Sequence, residues 1–266
     1  MPSKHEVVGS IPTGVAISLG AQKKMPSKLE KKLLLRCQRC RLRPTLCLCG
    51  EFPAVSLRRT ELCLVIHRQE GKSTTNTGLL AAEVLPGSRV LWRGGTAAGL
   101  AHERGEDPAL TREQLFTPGR VPLLLFPEDD AEAVTDVWLA RELEQDPARR
   151  FTLIVPDGTW SQARRVGRRE PALAGVRHVT LAPGPLSEYR LRREHVDSYV
   201  CTFEAIARLL GVLEGQALRA DLEHLFRKVV GRHLWGAGKL EAADVVGGIP
   251  EAAIEERLKS GYPSRY

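Results

Sequence analysis

Four of the six cysteines of this chain crowd into the run CQRCRLRPTLCLCG, as Cys37, Cys40, Cys47 and Cys49. A C-x2-C pair followed closely by a C-x-C pair can bring four thiolates around one tetrahedral ion, and Zn²⁺ is the usual occupant of an all-sulfur shell. Such a shell leaves no position for water or substrate, so the role it implies is structural. In a reducing compartment the cluster reads as a metal site in preference to disulfides. Arg36, Arg39, Arg41 and Arg43 project from the same loop. They either meet phosphates or form a solvated, charged surface. Cys63 falls in an apolar strand pattern and is expected in the core.

The stretch FTLIVPDGTWSQARRVGRREP, residues 151–171, carries a second kind of chemistry. Its β-branched run stops at Asp157, which sets a carboxylate at the edge of a sheet, and Gly158, Thr159 and Trp160 follow. Asp157 is either a ligand-facing acid or a cap for the helix that starts near Thr159. Trp160 is either core or a flat surface on which a base or an adenine ring stacks. Arg164 with Arg168, and Arg165 with Arg169, are i,i+4 pairs of like charge. Such pairs repel by roughly a few tenths of a kcal/mol, which an anionic partner would relieve.

Three shorter segments add polar groups near expected strand or helix ends. His67 ends one strand, and NTG at 76–78 begins an apolar helix with Asn76 as its cap. In LFPEDDA, Glu128, Asp129 and Asp130 are expected at the start of a helix, where they either suit the dipole without any function or contact a ligand. In SEYRLRREH, Tyr189, Arg190, Arg192 and Arg193 form a basic patch with an aromatic inside it, a pattern that suits RNA backbone contact with base stacking; Tyr189 is equally at home as a packed residue. CTFEAIARLL opens a helix with Glu204 in its first turn.

The elements that must position these groups alternate. Apolar runs predict strands at 62–67, 89–92, 121–126, 151–155 and 177–181. Helical patterns lie at 76–84, 131–146, 160–168, 200–212 and 216–234. That alternation predicts an α/β fold, a mostly parallel sheet with helices on both faces, whose ligands bind beyond the carboxyl ends of the strands. The expected organisation is a disordered extension over 1–27, a zinc-binding knuckle over 28–60, an α/β domain over 61–240 and a tail over 241–266. The tail carries a short helix, IPEAAIEERL, with Pro250 in its first turn. MPSK occurs at Met1 and again at Met25, so the first 24 residues read as an extension or a misplaced start.

Thirty-nine Lys and Arg against 32 Asp and Glu give a net charge of +7, which favours an anionic partner where the arginine clusters share a face. The sequence has no apolar run long enough for a membrane span and no secretory signal, so a cytoplasmic protein is expected. A monomer and a homodimer both remain open.

Taken in order, these pieces resemble the DTW-domain family of tRNA-uridine aminocarboxypropyltransferases. The resemblance runs from about Cys37 to Glu214, through the cysteine pairs, NTGLLA, LFPEDDA, DGTW and the SEYRLR to CTFEA block; Asp157, Thr159 and Trp160 supply the name-giving D-x-T-W. Where the family usually has a serine, Cys201 stands, and His195 occupies a position where proline is frequent. The resemblance implies a SPOUT-like fold with a C-terminal trefoil knot and transfer of the 3-amino-3-carboxypropyl group of S-adenosylmethionine to N3 of a tRNA uridine. It implies Asp157 as base for the N3 proton, with Trp160 stacking beside it. The donor site it implies is built from Phe126, Pro127, Asp130, Asp157, Gly158, Thr159, Tyr189, Arg192, Thr202, Glu204 and Ala205. In it Arg192, with Arg190, pairs with the donor carboxylate and Glu204 takes its ammonium. The tRNA would meet Arg39, Arg41, Asn76, Arg164, Arg165, Arg168, Arg169, Arg190 and Arg193. Two rival readings are a SPOUT-like RNA methyltransferase and a non-catalytic zinc-containing RNA-binding protein.

Overall fold

The computed structural model describes residues 34–94, 109–191 and 200–260. Six strands, β1 (Thr60–His67), β2 (Arg89–Arg93), β3 (Val121–Leu125), β4 (Glu132–Val134), β5 (Phe151–Asp157) and β6 (Arg177–Leu181), form one sheet in the order β2-β1-β5-β3-β6-β4. Every pairing is parallel. After β1 the chain builds β2 on one side and then β3 on the other, and β5 fills the place between β1 and β3. Such a change of direction opens a crevice beyond the carboxyl ends of the strands. β5 ends there on Asp157, opposite Ile66 of β1.

The central strands β1 and β5 are buried on both faces, with side chains alternating between two apolar layers. Leu62, Leu64 and Ile66 of β1, with Phe151, Leu153 and Val155 of β5, join the larger cluster. Cys63, Val65 and Ile154 point into the smaller one. The larger layer is covered by α2 (Thr77–Val84), α4 (Asp136–Gln145), α6 (Thr202–Leu213) and α7 (Gln216–Gly236). The smaller one receives Leu115 of α3 (Arg112–Leu115) and Val166 of α5 (Trp160–Arg169). Helices therefore lie on both faces, as the alternation predicted. The short α1 (Arg68–Gly71) follows β1 directly. Cys40, Leu42, Leu46 and Leu48 belong to the larger cluster, so the cysteine loop packs into the same core as the sheet.

Polar anchors fix the outer elements. Glu214, just past α6, accepts from the backbone N–H groups of Arg58, Arg59 and Thr60 and ties that helix to the start of β1. The buried Arg232 of α7 donates to the carbonyls of Leu46 and Cys47 and to Glu51, which joins the long helix to the cysteine loop. Among the described residues no helix is long and apolar enough to cross a membrane.

The structure departs from the expected elements in two places. The helix predicted over 131–146 begins only at Asp136, capped by Thr135, and Glu132–Val134 form the edge strand β4. The acids Glu128, Asp129 and Asp130 thus stand before a strand and not at a helix N-terminus. Pro250 is the residue before α8 (Glu251–Lys259), not part of its first turn.

Glu142 of α4 is buried and accepts from Arg177 and Arg149, at 2.7 and 2.8 Å. The Arg177 hydrogen bond holds its carboxyl below the ordinary value of 4.5, against the opposing effect of burial. A depressed folded pKa stabilises the fold fully above the unfolded value and loses that contribution as pH falls through the folded one. Glu142→Gln should therefore lower stability by about 2 kcal/mol at neutral pH. In urea melts the difference from wild type should shrink below pH 4.5, as the wild type loses its charge.

Candidate active site

A cleft of about 860 Å³ opens at the carboxyl edge of the sheet. Its floor is Leu125 of β3, Val155 to Asp157 of β5, and Thr180 and Leu181 of β6. Three helices begin on its wall: α2 at Asn76 and Thr77, α5 at Thr159 and Trp160, and α6 at Cys201 and Thr202. Unpaired N–H groups and the macrodipole make helix N-termini favourable to anions.

Asp157 stands where the strand and two of these helices meet. It is 6% exposed; its Oδ2 accepts from the Asn76 side-chain amide at 2.6 Å and its Oδ1 from the Thr202 hydroxyl at 2.5 Å. Asn76 turns its own oxygen back to accept from the Leu79 N–H at 2.8 Å, capping α2. The carboxylate thus joins β5 to α2 and α6. It does not cap α5: Thr159 does, in a reciprocal box in which the Thr159 hydroxyl accepts from the Gln162 N–H and the Gln162 side chain accepts from the Thr159 N–H. Trp160, 42% exposed at the first position of α5, packs its ring 5.6 Å from that of the buried Phe126.

The structure brings Phe126, Pro127, Asp157, Gly158, Thr159, Trp160, Tyr189, Thr202 and Ala205 to the cleft. Tyr189 is buried, stacks on Phe226 and donates its hydroxyl to the Thr75 carbonyl, so it is a packed wall residue and not the aromatic of a basic patch. Two residues expected there are elsewhere. Asp130 is exposed and hydrogen-bonds His178. Glu204 is buried behind the wall, accepting from the Ser187 hydroxyl and from the backbone N–H groups of Glu188 and Cys201, which leaves it a holder of the 187–189 segment. Arg192 and Arg193 lie outside the described residues, and Arg190 is exposed and off the wall. Among the cleft residues that the sequence reading did not single out is Arg208, in register with Cys201 and Ala205 at helical spacing of four and three. Burial, with Glu204 nearby, pushes the Cys201 thiol well above its ordinary value, so it is neutral.

The residues expected to meet RNA divide. Arg41, at φ 60°, donates from Nη1 to the carbonyls of Gly71 and Ser73, at 2.7 and 3.0 Å, and is a structural tie to the loop before α2. Asn76 is buried and committed to Asp157 and α2. Arg39 is half exposed, paired with Glu83 and lying over the Phe52 ring. On α5, Arg164 and Arg168 both reach Glu128, which relieves their mutual repulsion. Arg165 and Arg169 are exposed, and among the described residues no carboxylate pairs with them.

The Sγ atoms of Cys37, Cys40, Cys47 and Cys49 all lie within 4.8 Å of one another. Cys37 and Cys49 are 3.5 Å apart and Cys40 and Cys47 3.7 Å. A tetrahedron with Zn–S bonds of about 2.3 Å has an edge of about 3.8 Å, so the set fits one such ion. Burial opposes ionisation of Cys37, but backbone N–H groups of Cys40 and Arg39 and the Cys49 thiol bring it down to about 7. Burial raises Cys40 to about 11 and also raises Cys49, with neighbouring thiols adding to it. Four thiols this close cannot all ionise without a cation among them.

Residues 34–234 match the family model of the DTW domain, and the chain belongs to that family. It is similar to the tRNA-uridine aminocarboxypropyltransferase 2 of Drosophila melanogaster, 27% identical over 186 residues that cover 68% of this chain and 67% of the relative. The protein of the same name from Macaca fascicularis is 25% identical over 213 residues, 77% of this chain and 67% of the relative. The tRNA-uridine aminocarboxypropyltransferase A of Arabidopsis thaliana is 29% identical over 223 residues, 73% and 76% of the two chains. No solved structure matches the chain.

A Cβ on Gly78 would lie 2.8 Å from Cγ of Asp157 and 2.9 Å from its Oδ2. The carboxylate is pinned from both sides and cannot move away without losing a hydrogen bond. Gly78→Ala should destabilise the protein by about 1–3 kcal/mol, visible as a lower melting temperature.

Proposed function

We propose that this chain transfers the 3-amino-3-carboxypropyl group of S-adenosylmethionine to N3 of a tRNA uridine and releases methylthioadenosine. The observation that carries this reading is the cleft of a DTW-family chain, where a buried carboxylate, three helix N-termini and an exposed aromatic converge at the sheet's carboxyl edge. The relatives named above supply the reaction class. S-adenosylmethionine, when bound, supplies a carbon activated by the adjacent sulfonium: the bond from N3 to that carbon forms as the carbon–sulfur bond breaks, and its electron pair stays on sulfur.

Asp157 takes the proton that leaves N3. Its oxygens accept from the Asn76 amide and the Thr202 hydroxyl, which hold the carboxylate at the floor of the cleft. The Asn76 and Thr202 donors fix its direction, which supplies orientation for the proton transfer. Trp160, backed by Phe126, is a surface on which the flat uracil or adenine stacks. Pro127, Gly158, Thr159, Tyr189, Thr202 and Ala205 form the wall against which the donor lies.

Zn²⁺ held by Cys37, Cys40, Cys47 and Cys49 braces the knuckle, and the exposed arginines of α5 give tRNA a basic approach to the cleft. The SPOUT-like knotted fold, the division into a knuckle to residue 60 and a catalytic domain over 61–240, and a cytoplasmic location complete the reading. An all-parallel sheet with its site at the carboxyl edge supports the first of these.

Mass spectrometry of nucleosides from tRNA incubated with the protein and S-adenosylmethionine tests the function. It should find uridine carrying the aminocarboxypropyl group, and methylated or unmodified uridine would refute the reading. In the same assay Asp157→Asn should cut turnover by roughly 10²- to 10⁴-fold, the range for removal of a general base. The fold should survive, since an asparagine oxygen can still accept from Asn76 while the Thr202 hydroxyl reverses to accept from the new amide. Near-normal turnover in that variant would remove Asp157 from the chemistry.

Elemental analysis of protein purified without added metal should give one zinc per chain, and chelation should free the four thiols to alkylation while lowering the melting temperature. For RNA, charge reversal of Arg165 and Arg169 should weaken tRNA binding and flatten its salt dependence, leaving S-adenosylmethionine affinity unchanged in calorimetry.

A further inference from the structure

We propose that Arg208 binds the carboxylate at the amino-acid end of the donor and thereby selects a donor with an intact amino acid. The proposal rests on the reading of the cleft as the S-adenosylmethionine site and assigns one of its ends. Arg208 lies on the face of α6 that also presents Cys201 and Ala205 to the cleft, and the small Ala205 leaves room beside it. Of the charged described residues on the wall, Glu70 and Asp157 are acidic, and Arg208 is the one cation.

The guanidinium is incompletely used by the protein. Nη2 donates to the Leu186 carbonyl at 3.3 Å, while Nε is buried with no partner among the described residues. A Cβ on Gly184 would lie 3.5 Å from Nη1, so the loop after β6 closes beside the group. A carboxylate in the cleft would meet the guanidinium through its outer nitrogens, in the paired geometry that a guanidinium matches best. Arg208 is six residues along α6 from Thr202, which holds Asp157; that is about 9 Å of helical rise. The cleft therefore has an acidic end, where Thr202 holds Asp157 of β5, and a cationic end farther along α6 at Arg208. A ligand with a cationic sulfonium at its centre and a carboxylate at its tip has matching polarity. An RNA phosphate is also an anion, so the test separates the two.

Calorimetry on the full chain would compare S-adenosylmethionine with its decarboxylated analogue, alongside tRNA affinity and a thermal melt. Wild type should prefer the intact donor by about 10- to 100-fold, the range of a charged hydrogen-bonded pair. In Arg208→Met that preference should collapse through weaker binding of the intact donor only, and Arg208→Lys should restore part of it. Unchanged affinity for both ligands in Arg208→Met would overturn the proposal, as would a fall in tRNA affinity with donor binding intact. Equal affinity of wild type for the two ligands would overturn it whatever the variants do. A wild type that binds neither donor would remove the reading of the cleft on which the proposal stands.

Discussion

A carboxylate taken out of water is tolerated only where donors replace the lost solvent, and Asp157 meets that requirement with two side chains from two different helices. Much of the site's geometry follows from this demand. Asn76 must sit where it can cap α2 with its oxygen and reach Asp157 with its amide, which brings the start of α2 against the end of β5. Thr202 must open α6 at the same point. The space left beside the carboxylate admits no side chain at position 78, so the second residue of α2 is glycine for steric reasons and not for backbone freedom.

The segment before α2 is held from two sides. Arg41, from the cysteine loop, takes the carbonyls of Gly71 and Ser73, and Tyr189 donates its hydroxyl to Thr75. Behind Tyr189, Glu204 gathers the Ser187 hydroxyl and the Glu188 N–H. The cysteine loop is tied in turn to α7 through Arg232 and Lys228, both reaching Glu51. The thiol cluster and the carboxylate in the cleft thus belong to segments joined by a short chain of hydrogen bonds. The cluster contributes no atom to the cleft, and its tie to that region runs through the segment that precedes Asn76.

The five expected strands and the helices over 76–84, 160–168, 200–212 and 216–234 appear in the structure within a few residues, because long apolar runs and strong caps announce them. β4 was hidden because it is three residues long, sits at an edge and precedes a true helix whose pattern absorbed it. The D-x-T-W segment was legible as a strand end, but which residue caps α5 was not: an acid and a threonine two residues apart are both good caps, and only the sheet register decides between them. The basic clusters misled in part. Sequence gives the charge of Arg41 and Arg168, and tertiary contacts decide that one feeds backbone carbonyls and the other a glutamate. Arg208 carried a readable signal, its helical spacing from Cys201 and Ala205, which a plain helix interior concealed.

Which bond of the donor breaks is the central claim, and the sulfur-containing product of a single turnover on tRNA reads it directly. Chromatography with mass detection should recover methylthioadenosine in amounts equal to the modified uridine. S-adenosylhomocysteine in its place would mean methyl transfer and would contradict the account, as would the absence of either product from a zinc-loaded, donor-bound protein.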